Sequence, residues 1–322
     1  MADKARVVIL ISGAGSNMAA LIYAARADDC PYEVVLVSGD NPDAPGLQLA
    51  EAEGIKVARL PRPDKGNRAH FFADLDATLR DAEVDLVALA GFMRILPAEF
   101  VERWTGRLLN IHPSLLPNYR GLDTHARALA AGDRDAGCSV HFVTAEVDAG
   151  EILGQVKVAV LPDDTPDTLA ARVRIAEHQL FPRILGEVAA RPLDAGWIEA
   201  RVDALAAALP EVGRKTSHGA PGWAVGREKT AKLFAIIADH HHGEDTVGLL
   251  VKASGADEMT GLIEARPDHY YWPKYYGASG WLGLRLSRRD VDWDEVGEWL
   301  ERSWRAAAPP RLTKFLRVAD EF

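Results

Sequence analysis

Across the first 190 residues, short runs rich in β-branched residues alternate with stretches whose apolar residues recur at helical spacing. Strand candidates are 6–11, 33–37, 56–60, 84–88 and 108–111, and the helical patterns between them cover 17–26, 46–52, 68–80 and 97–103. Single strands separated by single helices need crossover connections, which set the strands parallel in one sheet with helices on its faces. Residues 139–143 and 152–160 follow as a strand pair, and 167–188 reads as a long closing helix, with Thr165 or Asp167 near its cap and Pro166 in its first turn. The expected fold class for residues 1–190 is therefore α/β, built on a Rossmann-like, mostly parallel sheet.

The alternation stops at RPLDAG, 191–196, where Pro and Gly break the periodicity, and a domain boundary is expected there. Trp104 is the only one of eight tryptophans before this point, a difference in residue use that points to two cores of separate origin. A length of 322 residues also suits two domains of about 150 residues each. Helices at 198–209 and 292–306, with strands at 222–225, 232–237, 246–252 and 281–285, describe a small α+β unit over 197–318.

Composition narrows the function classes. With 48% hydrophobic and 26% charged residues, the chain buries substantial cores and is not a disordered one. Its net charge of −10 gives no reason to expect general nucleic-acid binding, though a local basic pocket is compatible with it. The longest apolar stretch near the N-terminus, Val7 to Ile11, is far short of the ~20 residues of a membrane span, and no cleavable signal precedes it. A cytoplasmic location with no membrane partner is expected. Cys30 and Cys138 have neither a disulfide-framework nor a metal-ligand spacing, so both read as reduced structural residues and no metal is expected.

Three motifs carry chemistry. The first strand runs into Ser12, Gly13, Ala14, Gly15, Ser16 and Asn17 and then into a helix. Gly13 and Gly15 permit a tight turn, and Ser16 and Asn17 add polar groups at a helix N-terminus, where free backbone N–H groups attract anions. The loop is neither a dinucleotide GxGxxG nor a Walker motif, so it favours a phosphate monoester over NAD or ATP; the plain alternative is a βα turn. In LLNIHPSLLP, 108–117, Asn110 and His112 are two apart on a strand that Pro113 ends, at the kind of strand end where α/β folds bind ligands. An amide beside a His that can carry charge suits the oxyanion of acyl transfer; the alternative is a structural His. In HFVTAEVDAG, 141–150, Asp148 falls in a loop where its carboxylate could reach His112 and raise its pKa, or simply starts a turn.

Six blocks, ILISGAGSN, LAGFMRILP, LLNIHPSLLP, GLDTHARALAAGD, GCSVHFVTAEVDAG and RVRIAEHQLFP, occur in an order and spacing that resembles the phosphoribosylglycinamide formyltransferases over residues 5–190. The resemblance implies transfer of a formyl group from 10-formyltetrahydrofolate, as co-substrate, to the amine of glycinamide ribonucleotide in de novo purine biosynthesis, with no metal. It implies Asn110 and His112 as stabilisers of the tetrahedral oxyanion, with Asp148 as partner of the His and organiser of proton transfer through water. It places the substrate phosphate on Ser12 to Asn17 and the ribose hydroxyls on Glu177. Folate is expected along Met93, Arg94, Ile95 and Leu96 and against Val143 to Asp148, with Asn110 and Arg68 as further ligands, and Leu116–Pro117 is expected to be cis.

Two departures stand out. Ala14 replaces a longer polar residue, and NYRGLD replaces KYPGLH, which puts Arg120 and Asp123 at those positions. They leave phosphate affinity and the 119–124 loop open. Formyltetrahydrofolate deformylase shares the fold and triad but looks like NIHHSFLP at the catalytic segment and carries an N-terminal regulatory domain. Methionyl-tRNA formyltransferase adds a basic C-terminal barrel, unlike the nearly charge-balanced residues after 191. The deformylase and a non-catalytic anion-binding module are the alternative readings.

Residues 197–318 resemble the MmcQ/YjbR-like domains, on LPEVGRKTSHGAPGWAVG, KLFAIIA, VGLLVK, YYWPKYYGASGWLGLRL and WDEVGEWLERSWRAAAPPRL. That resemblance implies a double-wing α+β fold and no chemistry. His240, His241 and His242 read as a solvated turn rather than a metal site. Tyr270, Tyr271, Trp272, Tyr275, Tyr276 and Trp281, with Lys274, read as core and rim packing rather than a stacking surface for nucleic acid. A homodimer or inter-domain contact module and a ligand- or nucleic-acid-binding module both stay open for this unit.

Overall fold

The computed structural model describes residues 4–60, 66–227, 230–240, 244 and 246–313. It divides into two units, Met1–Ala190 and Arg191–Phe322. In the first, β1 (Ala5–Ile11), β2 (Tyr32–Gly39), β3 (Val57–Arg59), β4 (Leu86–Leu89), β5 (Leu108–His112), β6 (Asp135–Phe142) and β7 (Ile152–Ala159) form one sheet in the order β3-β2-β1-β4-β5-β6-β7. The first five strands are parallel and the last two antiparallel, so the mostly parallel α/β expectation holds. Helices α1 (Ser16–Ala24), α2 (Pro45–Ala52), α3 (Arg68–Asp81), α4 (Ala98–Arg103), α5 (Thr124–Ala131) and α6 (Pro166–Ala190) cover it.

Strand β1 explains why the pattern was so legible. Val7, Ile9 and Ile11 pack with Met18, Leu21, Leu180 and Phe181 of α1 and α6, while Val8 and Leu10 pack with Phe71, Leu75 and Phe100 of α3 and α4. A strand covered on both faces has no solvent side and reads as a continuous apolar run. The chain winds from β1 toward β3 on one side and from β4 toward β5 on the other, so a crevice opens beyond the carboxyl ends of β1 and β4. Across it, Ser12 N donates to Gly91 O at 3.1 Å. Helix α5 was not anticipated from the sequence, because Thr124 and Ala128 are its only buried residues and no apolar face shows.

The second unit contains α7 (Ala195–Ala207), β8 (Val212–Ser217), β9 (Ala220–Val225), β10 (Lys232–Asp239), β11 (Val247–Lys252), α8 (Ala256–Ala265), β12 (Tyr270–Tyr271), β13 (Trp281–Arg285) and α9 (Trp293–Ala307). The strands form an antiparallel sheet in the order β12-β13-β11-β10-β9-β8. Helix α7 starts earlier than the sequence suggests: Asp194 Oδ1 accepts from Trp197 N at 2.7 Å, so RPLDAG contains a helix cap and Gly196 lies in the first turn. Strand β8 was missed because it is an edge strand whose VGRKTS residues are mostly exposed. Strand β12 and helix α8, with only Met259 buried, were missed as well.

The aromatic group divides as packing requires. Tyr270, Tyr271 and Trp281 are buried, whereas Trp272 and Tyr275 are exposed. His240 is exposed beside Asp239, and His241 and His242 lie outside the described residues. Among the described residues, no cluster of three His, Cys, Asp or Glu side chains could hold a metal, and no helix is long and apolar enough to cross a membrane.

Candidate active site

At the end of β1 the backbone turns through Gly15, whose φ of 76° places it in the left-handed region at the N-cap of α1. With no side chain capping this helix, the N–H groups of its first turn have no helical acceptor and face an exposed loop of Gly13, Ala14 and Ser16. Helix α2 supports the loop from behind. Gly46 N donates to Gly13 O at 3.1 Å, and a Cβ on Gly46 would lie 2.6 Å from Ile11 Cδ1 and 2.8 Å from Gly13 O. Gly46→Val should therefore push the loop outward and weaken binding of ribose 5-phosphate by at least about tenfold, the cost of one misplaced hydrogen bond to a charged group, as read by titration calorimetry. Asn17 Nδ2 donates to Glu177 Oε2 at 2.8 Å, which ties the loop to α6. Burial raises the Glu177 carboxyl pKa, against the hydrogen bond from Asn17.

The carboxyl end of β5 holds the reactive group. Antiparallel register sets Asn110 opposite His141 and His112 opposite Ser139. His141 Nδ1 lies 2.8 Å from Phe142 O, so this nitrogen carries the proton and the Nε2 lone pair accepts from Asn110 Nδ2 at 3.2 Å. Asp148 reaches both histidines: Oδ2 is 3.3 Å from His112 Nδ1 and Oδ1 is 3.5 Å from His141 Nε2. Gly121 N donates to Asp148 Oδ2 at 2.9 Å. Burial pushes the Asp148 carboxyl up, but the bond from Gly121 N and the two imidazoles beside it, His141 and His112, outweigh that and hold it below its usual pKa.

His112 is held on both edges by acceptors, since Nε2 lies 3.0 Å from Tyr119 O. Burial pulls its pKa down more than the Tyr119 carbonyl and Asp148 pull it up, and the net value lies below 6.5. Asp148 does pull it up, as expected, but the buried setting outweighs that attraction. A neutral ring that gives its one N–H to Tyr119 leaves the Nδ1 lone pair facing the Asp148 carboxylate. Protonation of the ring puts a donor into that gap, so the pair can take up one proton.

The surrounding loops are strained to make these contacts. Tyr119, Asp123 and Asp148 have φ of 56°, 57° and 50°, conformations that cost non-glycine residues energy and cluster at functional sites. Arg120 and Glu146 form an ion pair at 2.6 Å between the 119–124 loop and the loop that carries Asp148. The Leu116–Pro117 bond is cis, and Ser139 Oγ accepts from Leu116 N at 3.0 Å. The sequence reading gave no role to His141, Tyr119 or Gly121, whose parts depend on strand register and loop closure.

Beside the glycine loop, the segment after β4 presents Met93 and Ile95, both largely exposed. Met93 N donates to Ser12 Oγ at 2.9 Å, and Arg68 Nη2 donates to Ile95 O at 2.7 Å. Arg94 pairs through Nε with the buried Asp40. Leu96 is buried against α3 and α4, so only its backbone is available at the surface. Val143 is half-buried, its N donating to Leu108 O at 2.9 Å, and Leu122 and Val147 are exposed on the two strained loops.

Four histidines, His112, His125, His178 and His269, have pKa values lowered below 6.5, each first by burial. When the folded value lies below the unfolded one, the unfolded chain binds more protons as pH falls through about 6.5, and stability falls with it. The urea midpoint by far-UV circular dichroism should therefore drop between pH 7.5 and 6.0. Glu177 is shifted the other way, raised by burial, and so opposes the histidines as pH falls.

The family model for formyl transferase matches residues 5–185, more than half of the chain. The chain belongs to the formyl transferase family. A YjbR family model matches residues 207–306. The phosphoribosylglycinamide formyltransferase of Escherichia coli is 42% identical over 197 residues, 60% of this chain and 93% of that protein. The trifunctional purine biosynthetic protein adenosine-3 of Drosophila melanogaster is 49% identical over 184 residues, 56% of this chain but only 14% of that much longer protein. In structure, phosphoribosylglycinamide formyltransferase from Brucella melitensis matches with a TM-score of 0.56 at 49% identity, covering 58% of this chain and 97% of that one.

Proposed function

We propose that this chain transfers the formyl group of 10-formyltetrahydrofolate to the amine of glycinamide ribonucleotide, a step of cytoplasmic de novo purine synthesis. Residues 1–190 would form the formyltransferase domain and 197–318 an accessory YjbR-like domain. One observation carries this reading: Asp148 lies between His112 and His141, and His141 in turn fixes the Asn110 amide.

The surfaces suit both substrates. The backbone N–H groups from Gly13 to Asn17 at the α1 terminus, with the side chains of Ser12 to Asn17, suit a phosphate monoester, and Glu177 suits the ribose hydroxyls. The apolar Met93 and Ile95, with the cations Arg68 and Arg94, the backbone of Leu96, and Val143 to Asp148, suit a flat heterocycle with an anionic tail. Bound folate supplies an activated formyl group. In the transfer, the amine nitrogen bonds to the formyl carbon, the bond from that carbon to the folate nitrogen breaks, and one proton leaves the amine for that nitrogen. The gap between His112 Nδ1 and Asp148 Oδ2 can hold this proton on its way. Asn110 retains a second amide N–H for the oxygen that gains charge, and His112 can offer Nε2–H once it exchanges Tyr119 O for that oxygen.

The test is an absorbance assay of 10-formyltetrahydrofolate turnover with glycinamide ribonucleotide and with water alone. Turnover only with the ribonucleotide is expected. Turnover with water alone would assign a deformylase, and none under either condition would assign an anion-binding module.

A further inference from the structure

We infer that Asp40, at the end of β2, is a positioning residue for the folate side of the site and acts through Arg94. The inference rests on the proposed reading of Met93 to Leu96 as the folate wall. Asp40 is 1% exposed. One of its carboxylate oxygens pairs with Arg94 Nε, and the other, Oδ1, is buried without a hydrogen-bond partner among the described residues. A buried carboxylate that pairs with one guanidinium among the described residues fixes that guanidinium firmly, because a buried charge left without its partner is strongly disfavoured.

The geometry of the pairing decides what Arg94 can offer. With Nε given to Asp40, both η nitrogens are left without a partner among the described residues, on a side chain 31% exposed. These two nitrogens form the planar fork that binds a carboxylate or carbonyl oxygen. Arg94 lies between the exposed Met93 and Ile95, so the fork stands in the same short segment as the apolar contacts. The backbone of that segment is held separately, by Ser12 at Met93 N and by Arg68 at Ile95 O. Asp40 sets the side chain of Arg94 and the other two anchors set the main chain, so a change at Asp40 should act on the fork and leave the wall in place.

Asp40→Asn keeps the shape and removes the charge. Full-length protein carrying it is expected to bind tetrahydrofolate about tenfold more weakly by fluorescence titration. The KM for 10-formyltetrahydrofolate should rise by the same factor, with kcat at saturating folate and the KM for glycinamide ribonucleotide within twofold of native. A purely structural role would lower the active fraction, and hence kcat, without moving one KM selectively. Equal tetrahydrofolate affinity in the variant and native chains would overturn the inference, as would equal rises in both KM values. Should Asp40→Asn fold poorly, the double variant Asp40→Asn/Arg94→Gln removes both members of the pair, and its tetrahydrofolate affinity should equal that of Arg94→Gln alone. Additive losses would overturn the inference. A native chain that does not bind tetrahydrofolate would overturn both this inference and the formyl-transfer reading, whereas native binding with an unaffected Asp40→Asn variant overturns the inference alone.

Discussion

Asp148→Asn is expected to lower kcat by about 10² to 10⁴, the range for loss of a positioned proton-transfer group, while the thermal midpoint stays close to that of the native chain. The two outcomes together separate chemistry from architecture. Asp148 has φ of 50°, and Asn tolerates the left-handed region as well as Asp does, so the turn survives the change. Its side-chain oxygen can still accept from Gly121 N. With that oxygen in the place of Oδ2, the new Nδ2–H takes the place of Oδ1, 3.5 Å from His141 Nε2. The charge that faces His112 Nδ1 at 3.3 Å is lost, and with it the place for the travelling proton. If Asp148 only starts a turn, Asp148→Asn should be close to neutral in both measurements. Stopped-flow turnover with both substrates saturating, beside differential scanning fluorimetry, decides between them.

The sequence carried different parts of this site with different clarity. Asn110 and His112 could be placed together because they sit two apart on one strand, and a strand alternates its faces. That His141 accepts from Asn110 was out of reach, since it depends on the β5–β6 register between residues 31 positions apart in the chain. The bond from Gly121 to Asp148 spans 27 residues and the pair of Asp40 with Arg94 spans 54, and no local pattern announces either. The net direction of the His112 shift was out of reach for a related reason: the raising effect of the nearby carboxylate follows from the motif, but the burial that outweighs it comes from the fold around the ring. In the fold itself, β1, β4 and β5 were legible because both faces of the sheet are covered there. Strand β8 and helix α5 were not, because an exposed edge and a helix with two buried residues leave almost no apolar signal. Tertiary contacts, rather than local preference, make those two segments regular.

Trp304→Ala is expected to destabilise the second unit by about 3–5 kcal/mol, the usual cost of emptying a buried aromatic site. Trp304 is completely buried on α9. It belongs to the apolar cluster that contains Trp223 and Phe234 of the sheet and Ile198 and Val202 of α7. Its indole N–H also donates to Pro210 O at 3.0 Å, in the connection between α7 and β8, so truncation leaves a cavity and an acceptor without its donor. Trp304→Phe separates these two losses: it keeps most of the packing and should cost only ~1 kcal/mol for the hydrogen bond, plus a smaller cavity term. The measurement is urea unfolding followed by tryptophan fluorescence, and the distribution of tryptophans makes it selective. Only Trp104 lies in the first unit, and the other seven of the eight lie in the second, so the signal reports almost entirely on the unit being perturbed. Each point of the fluorescence transition should be matched to far-UV circular dichroism, because a chain of two units need not unfold in one step. A fluorescence midpoint that barely moves in Trp304→Ala would mean that α9 does not hold the sheet of the second unit. The packing of Trp299, Leu300 and Trp304 on one side of that helix would then have to be reconsidered.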